Sequence, residues 1–207
     1  MKISIMPVGL LGTNCYLLIS DKNSCAVIDP GAQPEKIAKV IKDKGLTPRY
    51  ILLTHGHHDH IGGVKKLLAA FEMPLYIGQG DGELLTDDQK NRAALRYPNT
   101  DEYTINGAQL LEDGQELTLD ELTIKVIATP GHTRGGVCFL CKDVIFSGDT
   151  LFRDDIGRCD LYGGDYDVML ESLQKLAALP GDYTVYPGHG ENTTLEYERK
   201  NNRYINE

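Results

Sequence analysis

Short apolar segments separated by turn residues recur along most of the chain. Many of them contain β-branched or aromatic residues, a length and composition typical of strands. The apolar stretch at residues 8–19 is interrupted by Gly12-Thr13-Asn14, which predicts a turn between two strands. Ten strands are predicted, at residues 2–6, 15–19, 25–28, 50–53, 75–77, 116–119, 122–128, 137–141, 144–147 and 184–186.

Helical periodicity is confined to fewer segments. Residues 34–44 begin with a proline, end before Gly45 and place Ile37 and Ile41 on one face. Residues 167–179 repeat this pattern and stop at a Pro-Gly pair. Two further helices are predicted, at residues 61–71 and 193–203.

Residues 81–104 lack a regular apolar pattern, and a helix over residues 87–96 is the one regular element that their composition favours. Long excursions in compact domains are often lids or binding loops. This segment is therefore expected either to form a rim over a site or to be an ordinary exposed helix and loop.

Both halves of the chain contain several strands followed by helices. Sheets covered by helices, an α/β arrangement, bury such elements well, and a two-sheet sandwich with the helices outside fits their order best. Of the 207 residues, 41% are hydrophobic and 25% are charged, as in ordinary globular proteins. We expect one domain over residues 1–207.

The formal net charge of −9 argues against two classes of partner. An acidic surface repels phosphate backbones and anionic lipid headgroups, so neither nucleic acid nor a membrane is expected. No apolar run approaches the ~18 residues that span a bilayer, and no leader pattern begins the sequence. We expect a cytoplasmic monomer or homodimer that acts on a small molecule.

The five cysteines are an odd number within strand-like segments, which indicates a reducing compartment rather than a disulfide framework. Cys138 and Cys141 form a C-x-x-C string in a β-like run. Since residues three apart on a strand face opposite sides, a redox or metal role for this pair is disfavoured.

Potential metal ligands are most concentrated in a hexapeptide after the fourth predicted strand, His55-Gly56-His57-His58-Asp59-His60. Imidazoles and a carboxylate crowded together repel one another on protonation and are costly to bury unless cations hold them. In an extended loop His55 and His57 point the same way, whereas His58 points elsewhere. Asp59 and His60 begin the next predicted helix and can face a second ion. One hexapeptide thus predicts ligands for two metals.

Three later motifs repeat this logic, each with an apolar strand, a small-residue turn and one potential ligand. They are Thr129-Pro130-Gly131-His132, Ser147-Gly148-Asp149 and Pro187-Gly188-His189. A lone ligand of this kind is usually a capping or loop residue, but side chains at strand ends can converge on one sheet edge. Together the candidates supply three ligands to each ion, and one further carboxylate is shared by both ions. Each ion keeps one position for water. The sets are His55, His57 and His132; Asp59, His60 and His189; and the shared Asp149.

With these motifs the chain resembles the metallo-β-lactamase fold superfamily. The hexapeptide, His132, Asp149 and His189 match that superfamily's full seven-ligand pattern. The resemblance implies a four-layer αββα sandwich with the metal site at one edge. Within the superfamily the chain is most similar to short single-domain members of the glyoxalase II group, at residues 129–133, 147–152 and 157–158.

That likeness implies a hydrolase of thioesters, of the hydroxyacylglutathione type. Full-length glyoxalase II enzymes carry a helical C-terminal domain that helps to hold glutathione, whereas 18 residues follow His189 in this sequence. The implied substrate is a small-molecule thioester or ester, and whether glutathione is part of it stays open.

The expected nucleophile is a hydroxide that bridges two divalent cations, because metal binding lowers the pKa of water towards neutrality. Zinc is expected first, with iron or manganese as alternatives. Two cations, two carboxylates and one hydroxide leave a net charge of +1, which stabilises a tetrahedral oxyanion. Asp59 and Asp149 are the catalytic carboxylates of this scheme, and bridging by Asp149 sets the ions ~3.5–4 Å apart.

Residues outside the ligand set are harder to assign. Asp29, before Pro30-Gly31, resembles a family element that orients a ligand imidazole, but a turn-forming Asp before proline is an equal explanation. Arg153, Arg158 and Tyr162 are candidates for binding an anionic substrate. Arg158, however, has several Asp neighbours with which it can simply pair.

Three other functions stay open. A persulfide dioxygenase would bind one iron through His55, His132 and Asp149, although such enzymes typically have Ala where His58 stands. A lactonase or a ribonuclease of the same fold is the second alternative, and the acidic surface disfavours the ribonuclease. The third, a metal-binding protein without activity, is disfavoured because no ligand has been lost.

Overall fold

The first sheet contains six strands that pair in chain order. They are β1 (Lys2–Val8), β2 (Thr13–Ile19), β3 (Ser24–Ile28), β4 (Thr47–Leu53), β5 (Leu75–Gly78) and β6 (Gln109–Leu111). The structure, a computed structural model, describes residues 1–206. Strands β1 to β3 are antiparallel, and β3 to β6 are parallel.

The second sheet also has six strands, in the order β14-β13-β10-β9-β8-β7. These are β7 (Glu116–Leu119), β8 (Leu122–Ala128), β9 (Val137–Cys141), β10 (Val144–Gly148), β13 (Thr184–Pro187) and β14 (Thr193–Thr194). Strands β10 and β13 are parallel, and the other neighbours are antiparallel. A small hairpin after β10 pairs β11 (Leu151–Phe152) with β12 (Asp155–Ile156).

Side-chain alternation along the central strands divides the core between two faces. Tyr16 of β2 and Leu52 of β4 point between the sheets, where they pack with Phe139 and Phe146 of the second sheet. Leu17, next to Tyr16, lies instead in the cluster under the outer helices. Because both faces of these strands are buried, their sequences read as continuous apolar runs.

In the part of the chain that the structure describes, five α-helices cover the outer faces of the two sheets. Helices α1 (Pro34–Asp43), α2 (His58–Ile61) and α3 (Val64–Ala70) belong to the first half, α4 (Tyr166–Ala177) and α5 (Leu195–Asn201) to the second. Ile37 and Ile41 of α1 pack on the first sheet, and Met169 and Leu173 of α4 pack on the second. The layers therefore follow the order αββα, which confirms the predicted fold.

All ten predicted strands are present, most of them one or two residues longer than predicted, whereas several other predictions were wrong. The helix predicted at 61–71 is two helices, since the chain breaks at Gly62-Gly63. Residues 193 and 194 form a strand before the last helix, which ends at Asn201. Strands β6, β11, β12 and β14 were missed because two or three residues carry no readable period.

The helix predicted at 87–96 does not form. Asp87 Oδ1 accepts hydrogen bonds from the backbone N–H groups of Gln89 and Lys90, which makes a turn there. Arg92 then takes a left-handed φ of 71° that ends any helical path. The segment continues as short 3₁₀ turns at Ala93–Leu95 and Asp101–Tyr103.

The cysteine prediction is confirmed as far as the geometry tests it. All five cysteines are free thiols. Cys138 lies in the cluster under α4 and α5, whereas Cys141 lies between the sheets, so the two thiols face opposite sides of β9. Within residues 1–206, no helix has the length and apolar character that crossing a bilayer requires.

Candidate metal centre

The loops that leave β4, β8, β10 and β13 meet at one edge of the sandwich. They bring all seven predicted ligands into three overlapping groups, whose ligand atoms lie within 4.8 Å of one another in each group. The groups are His55, His57 and His132; His55, His60 and Asp149; and Asp59, His60 and His189. The predicted convergence of strand ends therefore occurs in the structure.

The first triad is buried. His57 Nδ1 lies 2.9 Å from His132 Nε2, and the His55 ring is 4.8 Å from each of their ring centres. His55 Nε2 is buried and has no hydrogen-bond partner within residues 1–206. A buried nitrogen without a partner is costly, so this atom indicates a ligand that protein groups do not supply.

The second triad contains the one carboxylate of the hexapeptide. Asp59 Oδ2 lies 3.2 Å from His189 Nε2 and 3.6 Å from His60 Nε2, and the two imidazole nitrogens are 3.4 Å apart. Thr13 Oγ1, at the start of β2, donates a hydrogen bond of 3.0 Å to the same Asp59 oxygen and so fixes that carboxylate.

Asp149 lies between the two triads. Its Oδ1 is 3.4 Å from His60 Nε2, and its Oδ2 is 3.6 Å from both His132 Nε2 and His189 Nε2. One carboxylate thus contacts a member of each predicted set, the position that a shared ligand requires.

The spacing of these atoms fits metal ions. Two ligands on a tetrahedral zinc with bonds of about 2.0–2.1 Å are separated by about 3.3 Å. The donor pairs His57–His132, His60–His189 and Asp59–His189 measure 2.9, 3.4 and 3.2 Å. Nitrogen and oxygen donors also suit iron and manganese. The residues therefore fit two cations, and the donor set alone does not select between these metals.

Acceptors behind the rings orient the imidazoles. His132 Nδ1 faces the Arg158 carbonyl at 2.7 Å, and His189 Nδ1 faces the Leu11 carbonyl at 3.2 Å. Since a carbonyl only accepts, Nδ1 carries the proton in both rings and the Nε2 lone pair points into the site.

Asp29 orients two further imidazoles, those of His60 and His55, in agreement with the resemblance of Asp29-Pro30-Gly31 to a family element that orients a ligand imidazole. His60 Nδ1 lies 3.0 Å from Asp29 Oδ2, which leaves His60 Nε2 facing inwards. Thr54 Oγ1 donates to the same oxygen at 2.6 Å and therefore presents a lone pair to His55 Nδ1, 3.2 Å away. One buried carboxylate thus sets the tautomer of two ligands.

Burial and neighbouring charges shift the pKa values of the candidate ligands, and they do so in opposite directions for different residues. Burial, reinforced by the His132 imidazole, lowers the pKa of His57 to about 3. Burial would raise the pKa of Asp149, but the facing His60 lowers it to about 2. His60 itself shows the opposite balance, because Asp149, Asp59 and Asp29 outweigh burial and raise its pKa well above the usual value. Asp149 is therefore ionised at neutral pH.

Asp81 is a supporting residue that the sequence did not reveal. It is fully buried and accepts three hydrogen bonds, from Gly56 N at 2.9 Å, Thr133 Oγ1 at 2.8 Å and Gly135 N at 2.7 Å. Gly56 lies between two ligands of the hexapeptide, and Thr133 follows His132. Asp81 therefore ties the two ligand loops together, a contact that joins residues 52 positions apart.

Comparison with known proteins agrees with this geometry. Residues 8–189 match the sequence profile of the Metallo-beta-lactamase superfamily, a span that includes every ligand candidate. The chain belongs to that superfamily. This membership places it among metal-dependent hydrolases, which confirms the resemblance drawn from the motifs.

Individual relatives cover the whole length of this superfamily member. The hydroxyacylglutathione hydrolase GloC of Haemophilus influenzae is 34% identical over 100% of this chain and 99% of its own. The solved structure of BLEG-1, a B3 metallo-beta-lactamase, is 35% identical, with a TM-score of 0.90 and full coverage of both chains. That of TTHA1623 in a di-iron-bound form is also 35% identical, with a TM-score of 0.85 over 98% of this chain and 100% of the other.

His58, the third histidine of the hexapeptide, does not join either triad. The His58 ring lies 5.9 Å from the Tyr97 ring and 6.3 Å from the Tyr103 ring, and these two tyrosines stack at 4.9 Å. Its backbone N–H donates to the Asn91 carbonyl at 2.9 Å. His58 thus points away from the ligand groups, as the loop spacing predicted.

The three candidate substrate residues of this superfamily member are dispersed. Arg158 lines the cavity over the ligands but forms two hydrogen bonds of 2.7 Å with Asp160. Arg153 lies on the other side of His189, where it pairs with Glu191 at 3.2 Å. Tyr162 donates to Glu83 at 3.0 Å and does not line the cavity.

The cavity above the metal-ligand candidates has a volume of about 230 Å³. Apart from the ligands it is lined by Leu11, His58, Arg92, Arg96, Arg158 and Leu161. Arg92 and Arg96 belong to the 81–104 excursion, so this excursion does form part of the rim of the site. Sequence reasoning missed both arginines because the excursion has no periodicity that would orient its side chains.

Proposed function

We propose that the protein is a dinuclear metallohydrolase that cleaves a small-molecule thioester. The observation that carries this proposal is the pair of ligand triads joined by Asp149. His55, His57 and His132 would hold one cation, and Asp59, His60 and His189 the other. Two cations bound in this way would polarise the substrate carbonyl and lower the pKa of a coordinated water towards neutrality.

The protein residues have separate tasks in this reaction. Asp149, ionised at neutral pH, contacts His60 on one side and His132 on the other, so it fixes the spacing of the two triads. Asp59 is held by Thr13 through Oδ2, and its carboxylate is also exposed to the cavity. Burial would raise the pKa of Asp59, but the facing His60 and His189 lower it well below its usual value. We therefore assign its ionised carboxylate the further task of accepting a hydrogen bond next to the reacting group, in addition to ligation. The acceptors behind the imidazoles maintain this geometry through the cycle.

Zinc is the cation that we propose first, because the measured donor separations lie close to the spacing of about 3.3 Å between two ligands of a tetrahedral zinc. Iron is the alternative, since a relative of 35% identity has been solved in a di-iron-bound form. Manganese also accepts nitrogen and oxygen donors.

A thioester is the substrate that the comparisons favour. The hydrolase relative from H. influenzae is named for a glutathione thioester and matches this chain over its full length. A β-lactam is the second candidate, because BLEG-1, named as a B3 metallo-beta-lactamase, has a TM-score of 0.90 to this protein. Both reactions add a nucleophile to a carbonyl and pass through an oxyanion.

The test combines metal analysis with a substrate panel. Natively purified protein is analysed for zinc, iron and manganese, then assayed with hydroxyacyl thioesters, a lactone, a β-lactam and, in an oxygen electrode, a persulfide. About two metal ions per chain and hydrolysis of thioesters above the other substrates are expected. A metal-replete protein that hydrolyses no thioester contradicts the proposal, and oxygen uptake on the persulfide would favour the dioxygenase.

A pair of histidine variants tests the ligand assignment. His132→Ala removes a proposed ligand of the first triad and is expected to lower the metal content and to abolish hydrolysis. His58→Gln removes a histidine of the same loop that faces Tyr97 instead, so its metal content should equal that of the wild type. Full metal content and activity in His132→Ala would contradict the assignment.

A further inference from the structure

Arginines dominate the rim of the metal cavity in a protein whose net charge is −9. Arg92, Arg96 and Arg158 all line this cavity, which also contains the proposed ligands His57 and Asp59. Their charges are not equally available. The Arg158 guanidinium forms a bidentate pair with Asp160, in which both hydrogen bonds measure 2.7 Å.

Arg92 and Arg96 lack such a partner. Within residues 1–206, neither guanidinium forms an ion pair with a carboxylate within 4.0 Å. Arg92 is half-buried and Arg96 is exposed at the opening of the cavity. Asp160 is close enough to Arg92 for their charges to interact, but it is paired with Arg158. Cationic side chains that lie at the mouth of a site without a direct ion-pair partner focus anions towards it.

The backbone around Arg92 is held in an unfavourable conformation. Its φ of 71° lies in the left-handed region, where the Cβ of a non-glycine residue meets the backbone. Such conformations persist where the surrounding structure fixes them, and they recur at binding sites. A glycine or asparagine would adopt this φ more readily, so the arginine side chain is retained at a conformational cost.

Asn91 supplies the anchor that fixes this segment. It is fully buried, its side chain donates to the Leu84 carbonyl at 2.8 Å, and its Oδ1 accepts from the Ala93 N–H at 2.9 Å. Its backbone carbonyl accepts from the N–H of His58, the first residue of α2. The two arginines are therefore tied to the short helix that carries Asp59 and His60.

We propose that Arg92 and Arg96 form an anion-binding subsite that selects thioesters carrying a carboxylate. The inference rests on the proposed hydrolase function and names its substrate class. A guanidinium offers parallel N–H donors that match the two oxygens of a carboxylate. Leu11 and Leu161, which line the same cavity, provide apolar contacts for the neutral part of the substrate.

The test uses substrate pairs that differ only in charge. The first pair is S-acetyl-3-mercaptopropionate and its primary amide, with the charge on the thiol half. The second is a succinyl thioester of a neutral thiol and the corresponding succinamoyl thioester, with the charge on the acyl half. We expect the wild type to prefer the carboxylate of at least one pair about tenfold in kcat/KM, and the preferred pair identifies the half that the arginines hold.

The variants Arg92→Gln and Arg96→Gln should each lower kcat/KM for the preferred carboxylate about tenfold and leave the matching amide within about twofold. Raising the salt concentration should reduce the wild-type preference, because the subsite is open to solvent. Arg49→Gln removes the same charge from an exposed position near the start of β4 and should leave both substrates unchanged.

Different results overturn the two proposals. If both members of each pair are hydrolysed equally, or if the arginine variants weaken carboxylate and amide alike, the subsite is wrong while the hydrolase function stands. If no thioester is hydrolysed by the metal-replete protein, the hydrolase function is wrong. In that case calorimetric titration with 3-(methylthio)propionate and 4-(methylthio)-4-oxobutanoate and with their amides decides on the subsite. The subsite proposal is overturned if neither carboxylate binds more tightly than its amide. It is also overturned if Arg92→Gln and Arg96→Gln bind the carboxylate as tightly as the wild type does.

Discussion

Asp29 and His60 lie 31 positions apart in the sequence and are joined in the fold by a hydrogen bond of 3.0 Å between Oδ2 and Nδ1. The same carboxylate accepts from the backbone N–H of Thr54 at 2.8 Å and from its hydroxyl at 2.6 Å. The turn after β3, the end of β4 and helix α2 are thus held by one side chain. Its three donors explain why a charged group is stable in a position that is 1% exposed.

Replacing Asp29 with Asn tests this relationship. An amide offers one acceptor oxygen in place of two, so at least one donor from Thr54 or His60 would face an N–H group. We expect affinity for the ion of the second triad to fall about 10–100-fold, as for other residues that orient metal ligands. Competition with a chromophoric chelator measures this affinity. Asp21→Asn, at an exposed residue beside the N-terminus, is the matched control, and equal affinities in both variants would contradict the role of Asp29.

Asp81 connects the hexapeptide to the His132 loop through hydrogen bonds in a similar way. Asp81→Asn keeps the shape of the side chain but cannot accept from Gly56, Thr133 and Gly135 as the carboxylate does. We expect the free energy of unfolding to fall by about 1–3 kcal/mol, because a buried donor loses its acceptor. Denaturant unfolding measures the loss, with Asp143→Asn on the exposed surface as the control. An unchanged midpoint for Asp81→Asn would show that these hydrogen bonds do not support the loops.

The proposed ligand set was predictable from the sequence because each of the four motifs that contain it follows a strand whose pattern is strong. The strand before His55 and the strand before His132 are apolar runs, and their ends fix where the next side chain emerges. The supporting residues were not predictable in this way. Asp81 contacts Gly135 across 54 positions, and nothing in the residues around Asp81 indicates that contact.

The excursion at residues 81–104 shows the same limit. Its path depends on a turn at Asp87 and on the left-handed backbone of Arg92, neither of which leaves a hydrophobic period. A helix was therefore predicted where polar side chains bond to nearby backbone instead, as Asp side chains commonly do. The contribution of Arg92 and Arg96 to the cavity followed only from the structure.

Gly188 lies too close to the ligands to carry a side chain. A Cβ at this position would lie 2.1 Å from Asp149 Oδ1 and 2.8 Å from His60 Cε1. We expect Gly188→Ala to displace the shared carboxylate, to lower the bound metal and to reduce hydrolysis more than tenfold.

Gly190→Ala, two residues later, provides the control. Its φ of 76° makes alanine unfavourable by about 1–2 kcal/mol, but within residues 1–206 no atom other than those of Gly190 and its two chain neighbours lies within 4 Å of the added Cβ. Elemental analysis should show a loss of metal in Gly188→Ala alone, and equal metal content in the two variants would contradict the steric argument.

Removal of the metal should destabilise the whole sandwich edge. Without a cation, the inward-facing nitrogens of His57 and His132 lie 2.9 Å apart, and His55 Nε2 is buried with no hydrogen-bond partner in the described part of the chain. A ligand present at 100 times its Kd stabilises a fold by ~2.7 kcal/mol, which for a chain of this length corresponds to a change in Tm of about 5–10 °C. We expect chelation to lower Tm by this amount and zinc to restore it. His132→Ala should respond much less to either treatment, since one triad is already incomplete. Scanning calorimetry of the wild type and of His132→Ala, each with and without chelator, measures these changes in Tm. A wild-type Tm that does not depend on metal would show that metal binding by the ligand groups does not hold the loops together.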